Sequence, residues 1–322
     1  MKAHDGRHTV DRIVSTRSRL RFGESQVELA VRLTSIRNSY NQLDPAIDEL
    51  LRYYPIALAA CLESWFRLAI RELIDSGDPY LENARQVLKK KAFDYDILVS
   101  LHGQTITIGE VISHYLPVSK LSHIIATMNS VMGEDFRRRV SEVHDRWEVE
   151  IKKQPSVPIV ANIDETFRNV DRTFELRHIF CHEAGTAVKV GCDEIEQCIN
   201  HTATFLRASD EMISQTLFPD APLTQTAMNI ASYEDYEKER EGLDLLVETI
   251  TSVLSNGQKE RFTVANEAWK TFLDASVEID GLQYEGGTMR PTVEALVAKR
   301  LVRDRKAQLK ELLGRLEATP TE

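Results

Sequence analysis

Arg177, His178 and His182 have the types and spacing suited to phosphate chemistry. In a helix, two histidines four positions apart share a face. Histidine can take or give a proton near neutral pH, and arginine can bind phosphate oxygens and stabilise the charge that grows as a phosphodiester is cleaved. This chemistry requires no metal. Because only RNA has the 2′-OH for internal attack, the expected substrate is RNA and the product a 2′,3′-cyclic phosphate.

The sequence predicts that one helix carries all three residues in its last turns. Apolar residues recur at helical spacing over residues 163–182. Asn162 or Asp164 can cap the first turn, because both side chains accept hydrogen bonds from free backbone N–H groups. Glu183-Ala184-Gly185 provides the stop, since glycine favours the left-handed conformation that ends many helices.

Most of the remaining chain is also predicted to be helical. The protein has 322 residues, of which 42% are hydrophobic and 28% charged, with only 14 glycines and 10 prolines. This length allows two domains. We predict an all-α protein with a helical domain over residues 1–218, of which 1–22 are partly disordered, and a small three-helix domain over 223–318. Phe218-Pro219-Asp220-Ala221-Pro222 is the predicted linker.

One stretch leaves the secondary structure open. The polarity of residues 98–108 alternates, so this stretch is either a short strand or hairpin or, because of Gly103 and Gly109, a loop. Helices are expected at 24–42, 45–74, 119–131, 134–151, 192–217, 224–254, 259–278 and 291–316.

The helix over 45–74 is apolar on more than one face, so we expect it to be central in its domain. Glu63 and Arg67 lie within it at the spacing of an intrahelical ion pair. We favour that pairing over the alternative, in which Glu63 reaches Arg177.

Charge and composition exclude several classes of protein. The net charge is −10 and is shared by both predicted domains, so neither is a basic nucleic-acid-binding block; RNA would have to meet a local patch or a composite surface. The longest apolar run, 55–62, is too short to span a bilayer, and residues 1–21 do not resemble a signal peptide. Four cysteines do not make a disulfide framework. We expect a cytoplasmic, reduced protein outside the membrane.

The segment 175–185, Glu-Leu-Arg-His-Ile-Phe-Cys-His-Glu-Ala-Gly, resembles the R-x4-6-H motif of the HEPN superfamily. In that family the motif closes a long helix of an antiparallel all-α bundle, and a polar residue, often Asn, follows the arginine; here His178 follows it. The resemblance covers roughly residues 20–218. It implies a metal-independent endoribonuclease in which Arg177 binds and polarises the scissile phosphate, His182 is the general acid and base, and His178 assists.

The resemblance also implies partners. HEPN ribonucleases act as dimers whose motifs face each other, so we expect a homodimer in which two copies of Arg177 focus positive potential in one cleft. Such domains commonly serve as toxins or defence effectors, which implies an antitoxin or regulatory partner. The alternative is a non-catalytic module that binds nucleotide, RNA or protein. In a third, purely structural interpretation, the Arg-x4-His spacing arises by chance, Arg177 only neutralises Glu175 or Asp171, and His182 only caps the helix.

A metal site is the competing interpretation of the same region. The sequence contains neither CxxC nor HExxH, and in a helix Cys181 points to a different face from His182. Cys198 and His201 fit the packed face of the last helix of the domain better. We therefore predict no metal and no cofactor. The residues that this alternative would use are His178, Cys181, His182, Cys192, Cys198 and His201.

The C-terminal segment resembles LprI-like domains, of the lysozyme-inhibitor type. That family is exported and usually carries cysteines in these helices, where this chain has Ala231 and Val277. The resemblance implies a cytoplasmic version without disulfides, whose role is to recognise a partner, a trigger ligand or the other protomer. Trp269 and Phe272 are expected to pack in its core. The matching residues are Thr224-Gln225, Met228-Asn229, the helix 265–275 around Trp269, the loop Gly286-Gly287-Thr288, and Arg305.

Overall fold

The computed structural model describes residues 5–19, 26–44, 48–88, 99–183 and 187–318. Over these ranges the fold is all-α, with 13 α-helices and no strand, which confirms the predicted fold class. The chain divides into two compact units, unit 1 (Met1–Pro219) and unit 2 (Asp220–Glu322).

The helices predicted over 24–42, 119–131, 163–182 and 192–217 are found with closely similar ends. The helix predicted over 45–74 is divided at Arg52, and three helices of unit 1, in 5–17, 80–88 and 108–115, were not predicted. The first helix of unit 1 covers part of the segment predicted to be partly disordered, and Val10 and Ile13 of that helix are buried. The helices are α1 (Asp5–Arg17), α2 (Gln26–Asn41), α3 (Asp48–Leu51), α4 (Tyr53–Asp75), α5 (Tyr80–Leu88), α6 (Ile108–Tyr115), α7 (Leu121–Met132), α8 (Phe136–Glu142), α9 (Ile163–His182) and α10 (Cys192–Leu217), with a π-helix (Trp147–Ile151) between α8 and α9.

Helix α4 is the centre of unit 1, as its apolar sequence predicts. It packs against α2, α6, α9 and α10. The ring of Phe66 in its middle lies 5.8 Å from that of Phe136 and 5.5 Å from that of Phe205, and all three side chains are fully buried. Truncation of one such aromatic ring to alanine costs about 3–5 kcal/mol, so this cluster is a main source of the stability of unit 1.

A second hydrophobic cluster joins α4, α9 and α10 near the C-terminal end of α9. Its buried members include Leu58 and Cys61 of α4, Leu176 of α9, and Ile195 and Cys198 of α10. Because Leu176 is buried against this cluster, the rotation of α9 about its axis is fixed at the position immediately before the candidate motif.

The prediction of one helix over 134–151 is wrong. Helix α8 ends at Glu142, and Val143 is extended, with φ −69° and ψ 135°. The Val143 carbonyl accepts a hydrogen bond from Ile159 N at 2.9 Å, and His144 forms an isolated antiparallel bridge with Pro158. These tertiary bonds replace the bonds that would continue the helix, and the chain resumes as the π-helix.

The stretch 98–108 contains no strand in its described part, 99–108. Residues 99 and 100 are helical, 101–107 form the turn and loop of the second alternative, and Ile108 begins α6. Gly103 has φ 73°, a left-handed conformation that favours glycine. Thr107 then caps α6 in a reciprocal capping box with Glu110, the arrangement that satisfies two free N–H groups at a helix start.

Unit 2 consists of three long helices: α11 (Gln225–Val253), α12 (Asn256–Leu282) and α13 (Arg290–Ala318). Helix α13 packs against both α11 and α12, and Val302 and Leu309 of α13 are buried in the shared cluster. Trp269 packs against that cluster, but Phe272 is 56% exposed, so the prediction that both aromatic residues are core is wrong for Phe272.

The residues of the second resemblance contact one another in two groups. Gln225 Nε2 donates to Asn229 Oδ1 at 2.9 Å, and Asn229 Nδ2 donates to the Thr288 carbonyl at 3.2 Å, which ties the start of α11 to the loop before α13. Arg305 lies over the ring of Trp269, with its guanidinium carbon 5.8 Å from the ring centroid.

Candidate functional site

Helix α9 carries the candidate site. Different groups define its two ends. Asn162 is the N-cap, and its side chain accepts a hydrogen bond from Glu165 N at 3.1 Å. The helix ends at His182 as predicted, and the C-cap Glu183 donates its N–H to the Ile179 carbonyl at 2.9 Å. The proposed glycine stop at residue 185 lies outside the described residues.

Arg177 is directed towards the central helix. Its Nη2 lies 3.4 Å from Oε1 of Glu63, and the two side chains are 28% and 23% exposed. Oε1 of Glu63 is buried and has no hydrogen-bond partner within the described residues, so the contact is an ion pair without a well-directed hydrogen bond. It ties α9 to α4 at the level of the motif.

The close ion pair that the spacing favoured between Glu63 and Arg67 is not formed in the described residues. Burial lowers the pKa of Arg67, and the charge of Glu63 opposes that shift, so the two groups interact only at longer range. Arg67, four residues further along α4, instead donates Nη1 to the Ser113 carbonyl at 2.9 Å. The acid suggested as a local partner of Arg177, Glu175, accepts a hydrogen bond from Arg172 at 2.8 Å. Arg67 is hydrogen-bonded to α6, and Glu175 is hydrogen-bonded to Arg172. Arg177 and Glu63 therefore pair with each other across the interface between α9 and α4.

The two histidines form a separate, exposed pair. Their ring centroids are 5.2 Å apart with an interplanar angle of 50°, and both side chains are exposed. The shared helix face predicted from their spacing is thus observed. Nε2 of His178 lies 3.4 Å from Oε1 of Glu183, so a carboxylate is available to orient that ring. Both imidazoles can reach a ligand in solvent.

The structure thus brings His178 and His182 together and directs Arg177 to Glu63. From spacing alone, Arg67 is the favoured partner of Glu63 and Arg177 the alternative. The signal that identifies Glu63 is a carboxylate in the middle of a buried helix, because burial of a charge is costly unless another charge compensates it.

The arginines around the helix end are matched by carboxylates. Arg52, whose guanidinium carbon lies 5.6 Å from the Phe180 ring centroid, is 3.4 Å from Glu49. Arg172 contacts both Glu175 and Glu194 at 2.8 Å. Since Arg177 is also paired, these three arginines present little uncompensated positive charge for a phosphate at this end of α9.

The potential metal ligands do not converge. Within the described ranges, no group of three or more His, Cys, Asp or Glu side chains is placed to hold a metal ion. Cys198 is fully buried in the second hydrophobic cluster, and burial raises the pKa of its thiol. Nδ1 of His201 lies 3.1 Å from Thr166 Oγ1, and Cys181 is exposed. Cys198 and His201 therefore belong to the packing of α10 against its neighbours.

Comparison with models of protein families, with curated proteins and with solved structures finds no match to this chain. Among the helices that the structure describes, none has the length and apolar content needed to cross a membrane.

Proposed function

We propose that unit 1 is a metal-independent endoribonuclease of the HEPN type. The observation that carries the proposal is the pair of exposed imidazoles, His178 and His182, at the end of α9 with ring centroids 5.2 Å apart. The partly exposed guanidinium of Arg177 is on the same helix end. Two titratable groups and a permanent cation are what cleavage of a phosphodiester requires when no metal supplies the positive charge.

In the proposed reaction, His182 takes the proton of the 2′-OH as that oxygen attacks the adjacent phosphorus. The O2′–P bond forms, the P–O5′ bond breaks, and an imidazolium returns a proton to the leaving 5′-oxygen. Arg177 binds the non-bridging oxygens and stabilises the charge that grows on them. His178 assists by hydrogen bonding or proton transfer. The products are a 2′,3′-cyclic phosphate and a 5′-OH.

The charge pattern supports a site made from two chains. Because Arg177, Arg52 and Arg172 each have a carboxylate within 3.4 Å, one copy of the helix end attracts a phosphate weakly. We propose that two copies of the segment 177–182 meet in a homodimer, which doubles the guanidinium groups and imidazoles around one scissile phosphate.

The ion pair of Arg177 supports a second candidate function. If Glu63 keeps the guanidinium neutralised when RNA binds, Arg177 stabilises no transition-state charge, and the same helix end acts as a non-catalytic module that binds nucleotide, RNA or protein. In the ribonuclease, by contrast, Glu63 acts as a positioning residue that holds Arg177 while its free N–H groups bind phosphate.

The cellular setting belongs to the same proposal. Regulated RNA cleavage that halts growth fits a toxin or anti-phage defence effector in the cytoplasm, restrained by an antitoxin or another regulatory partner. Unit 2 would sense the trigger or restrain unit 1. Its likeness to LprI-like domains supports a recognition role.

The test is to incubate the purified protein with RNA in the presence of EDTA. We expect cleavage that leaves cyclic-phosphate ends and is reduced at least about 100-fold in His182→Ala and in Arg177→Ala. His102→Ala and Arg168→Ala are matched controls, because both residues are exposed and lie outside the helix end; they should cut like the wild type.

Three results would decide against the ribonuclease. RNA that remains intact with the wild type under all conditions favours the binding module. Cleavage that EDTA abolishes indicates a metal-dependent reaction. Activity that persists in Arg177→Ala and His182→Ala places the chemistry elsewhere. Separately, light scattering that shows a monomer at micromolar concentration, in a preparation that cleaves RNA, would overturn the composite site.

A further inference from the structure

Unit 2 contains a cavity of about 330 Å³ between its three helices. It exists because α11 and α12 both pack against α13, which leaves a space between α11 and α12 with α13 as its floor. Tyr236 and Leu243 of α11, Trp269 of α12, and Val302 of α13 line it. Its size falls at the lower end of the range of small-molecule sites, so it would admit one small organic molecule.

Arg305 is the unusual group in this cavity. Its Nη2 donates to Asn266 Oδ1 at 2.9 Å and its Nη1 to Gln308 Oε1 at 3.3 Å, and both acceptors are neutral. Its Nε is buried and has no hydrogen-bond partner. Burial lowers the pKa of Arg305, and within the described residues no carboxylate oxygen lies within the 4.0 Å ion-pair distance of this guanidinium.

A guanidinium that is partly buried and has no carboxylate partner favours the binding of an anion. A partly desolvated charge without a counter-ion is costly, and a hydrogen bond to a carboxylate or phosphate is stronger than one to a neutral amide. Arg240 of α11, which also lines the cavity, differs because it is paired with Glu237 at 2.8 Å. Lys270 also lines the cavity, but it is exposed. Among the described cavity cations, Arg305 is the one whose guanidinium has a buried N–H group without an acceptor, so it is available to a negatively charged ligand.

The aromatic residues define the rest of the ligand. Trp269 and Tyr236 stand on different helices around the cavity, and each has an arginine over its ring, Arg305 at 5.8 Å and Arg240 at 5.9 Å. Flat rings stack well on such surfaces. Asp244 and Asp274 also line the cavity, and their negative charge disfavours a ligand with several anionic groups.

We propose that this cavity binds a small organic anion that combines one flat ring with a single carboxylate or phosphate group. The anionic group binds Arg305, and the ring packs between Trp269 and Tyr236. This site is separate from the end of α9, and the proposal does not depend on RNA cleavage by unit 1.

The test is calorimetric titration of the full chain with two probes, indole-3-acetate for the carboxylate and AMP for the phosphate. At least one probe should bind at least about tenfold more tightly than its uncharged counterpart, indole or adenosine, and more tightly than acetate or inorganic phosphate, because the ring and the charge act together. The relative affinity of the two probes then identifies the anionic group.

Variants locate the binding. Arg305→Gln should weaken the preferred probe about 10- to 100-fold, and Arg305→Lys should weaken it less, since it retains the charge. Arg300→Gln is the matched control, because Arg300 lies on the same helix and is exposed; it should bind normally.

Three outcomes would overturn the proposal. They are no binding of either probe, equal binding of charged and uncharged rings, and equal affinity of the wild type and a folded Arg305→Gln. The comparison of charged with uncharged rings uses the wild type alone, so it remains decisive even if that variant does not fold.

Discussion

The contact between Glu63 and Arg177 predicts a specific pattern of stabilities. If Arg177 is replaced by methionine, the Glu63 carboxylate remains partly buried without its cation, and its Oε1 already has no hydrogen-bond partner. A buried polar group that is left without a partner lowers the free energy of unfolding by about 1–3 kcal/mol. If Glu63 is replaced by glutamine in the same molecule, the uncompensated charge disappears. The double variant should therefore be more stable than Arg177→Met alone.

The expected size of the coupling follows from the geometry. At the observed 3.4 Å, two unit charges in a medium of effective dielectric constant 20 attract with about 5 kcal/mol before desolvation. The two side chains are only 28% and 23% exposed, so the loss of hydration offsets most of this attraction. We expect a net coupling free energy of about 1–2 kcal/mol, with Arg177→Met about 2 kcal/mol less stable than the wild type.

The assay is a double-mutant cycle measured by urea unfolding. Trp269 lies in unit 2, whereas Trp65 and Trp147 lie in unit 1; a Trp269→Phe background therefore makes tryptophan fluorescence report on unit 1. Arg168→Met, an exposed position on α9, is the control for loss of an arginine from the same helix. If the free-energy changes of the two single variants add within about 0.5 kcal/mol, the two charges are not coupled, and Glu63 cannot be the residue that holds Arg177 in place.

Two further predictions concern the packing of α6 against α4. Burial lowers the pKa of His114 below its unfolded value of 6.5, so as pH falls the unfolded state takes up the proton first. The contribution of the neutral ring to the stability of the fold is fully present above about pH 6.5. It is lost as pH falls through the folded pKa. His114→Gln should therefore flatten the decrease of the urea midpoint between pH 7.5 and 5, and an unchanged pH profile would contradict this. Gly109→Ala should destabilise unit 1 by about 1–3 kcal/mol, because its Cβ would lie 2.6 Å from the Arg71 carbonyl oxygen and 2.6 Å from Asp75 Oδ1. Gly314→Ala, which meets open space, should instead leave the stability of unit 2 unchanged or raise it by up to about 1 kcal/mol, and equal effects of the two alanines would refute the packing argument.

The features of α9 that the sequence predicted are those set by local interactions. Its N-cap Asn162 binds a backbone N–H three residues away, and the ring distance between His178 and His182 follows from helical spacing alone. Such contacts depend on neighbours along the chain, so their residue types and intervals are sufficient to predict them.

The features that were missed depend on distant parts of the chain. The spacing rule paired Glu63 with Arg67, but the Ser113 carbonyl of α6 binds Arg67, which no local pattern records. The break after α8 likewise depends on Ile159 and Pro158. Phe272 is apolar and at helical spacing, yet it is exposed. The prediction failed because a sequence pattern shows which residues share a helix face but not which face another helix covers.

The helix that packs against both others in unit 2 is the last of the three to be synthesised. Helix α13 packs against both α11 and α12, yet it is made after them. At translation rates of about 5–20 residues per second, its 29 residues require roughly 1.5 to 6 s. During that interval the nascent pair α11 and α12 lacks Val302 and Leu309, and Leu243 and Ile250 are without these partners. Until α13 is available, the apolar residues that α11 and α12 present to it therefore remain without that cover.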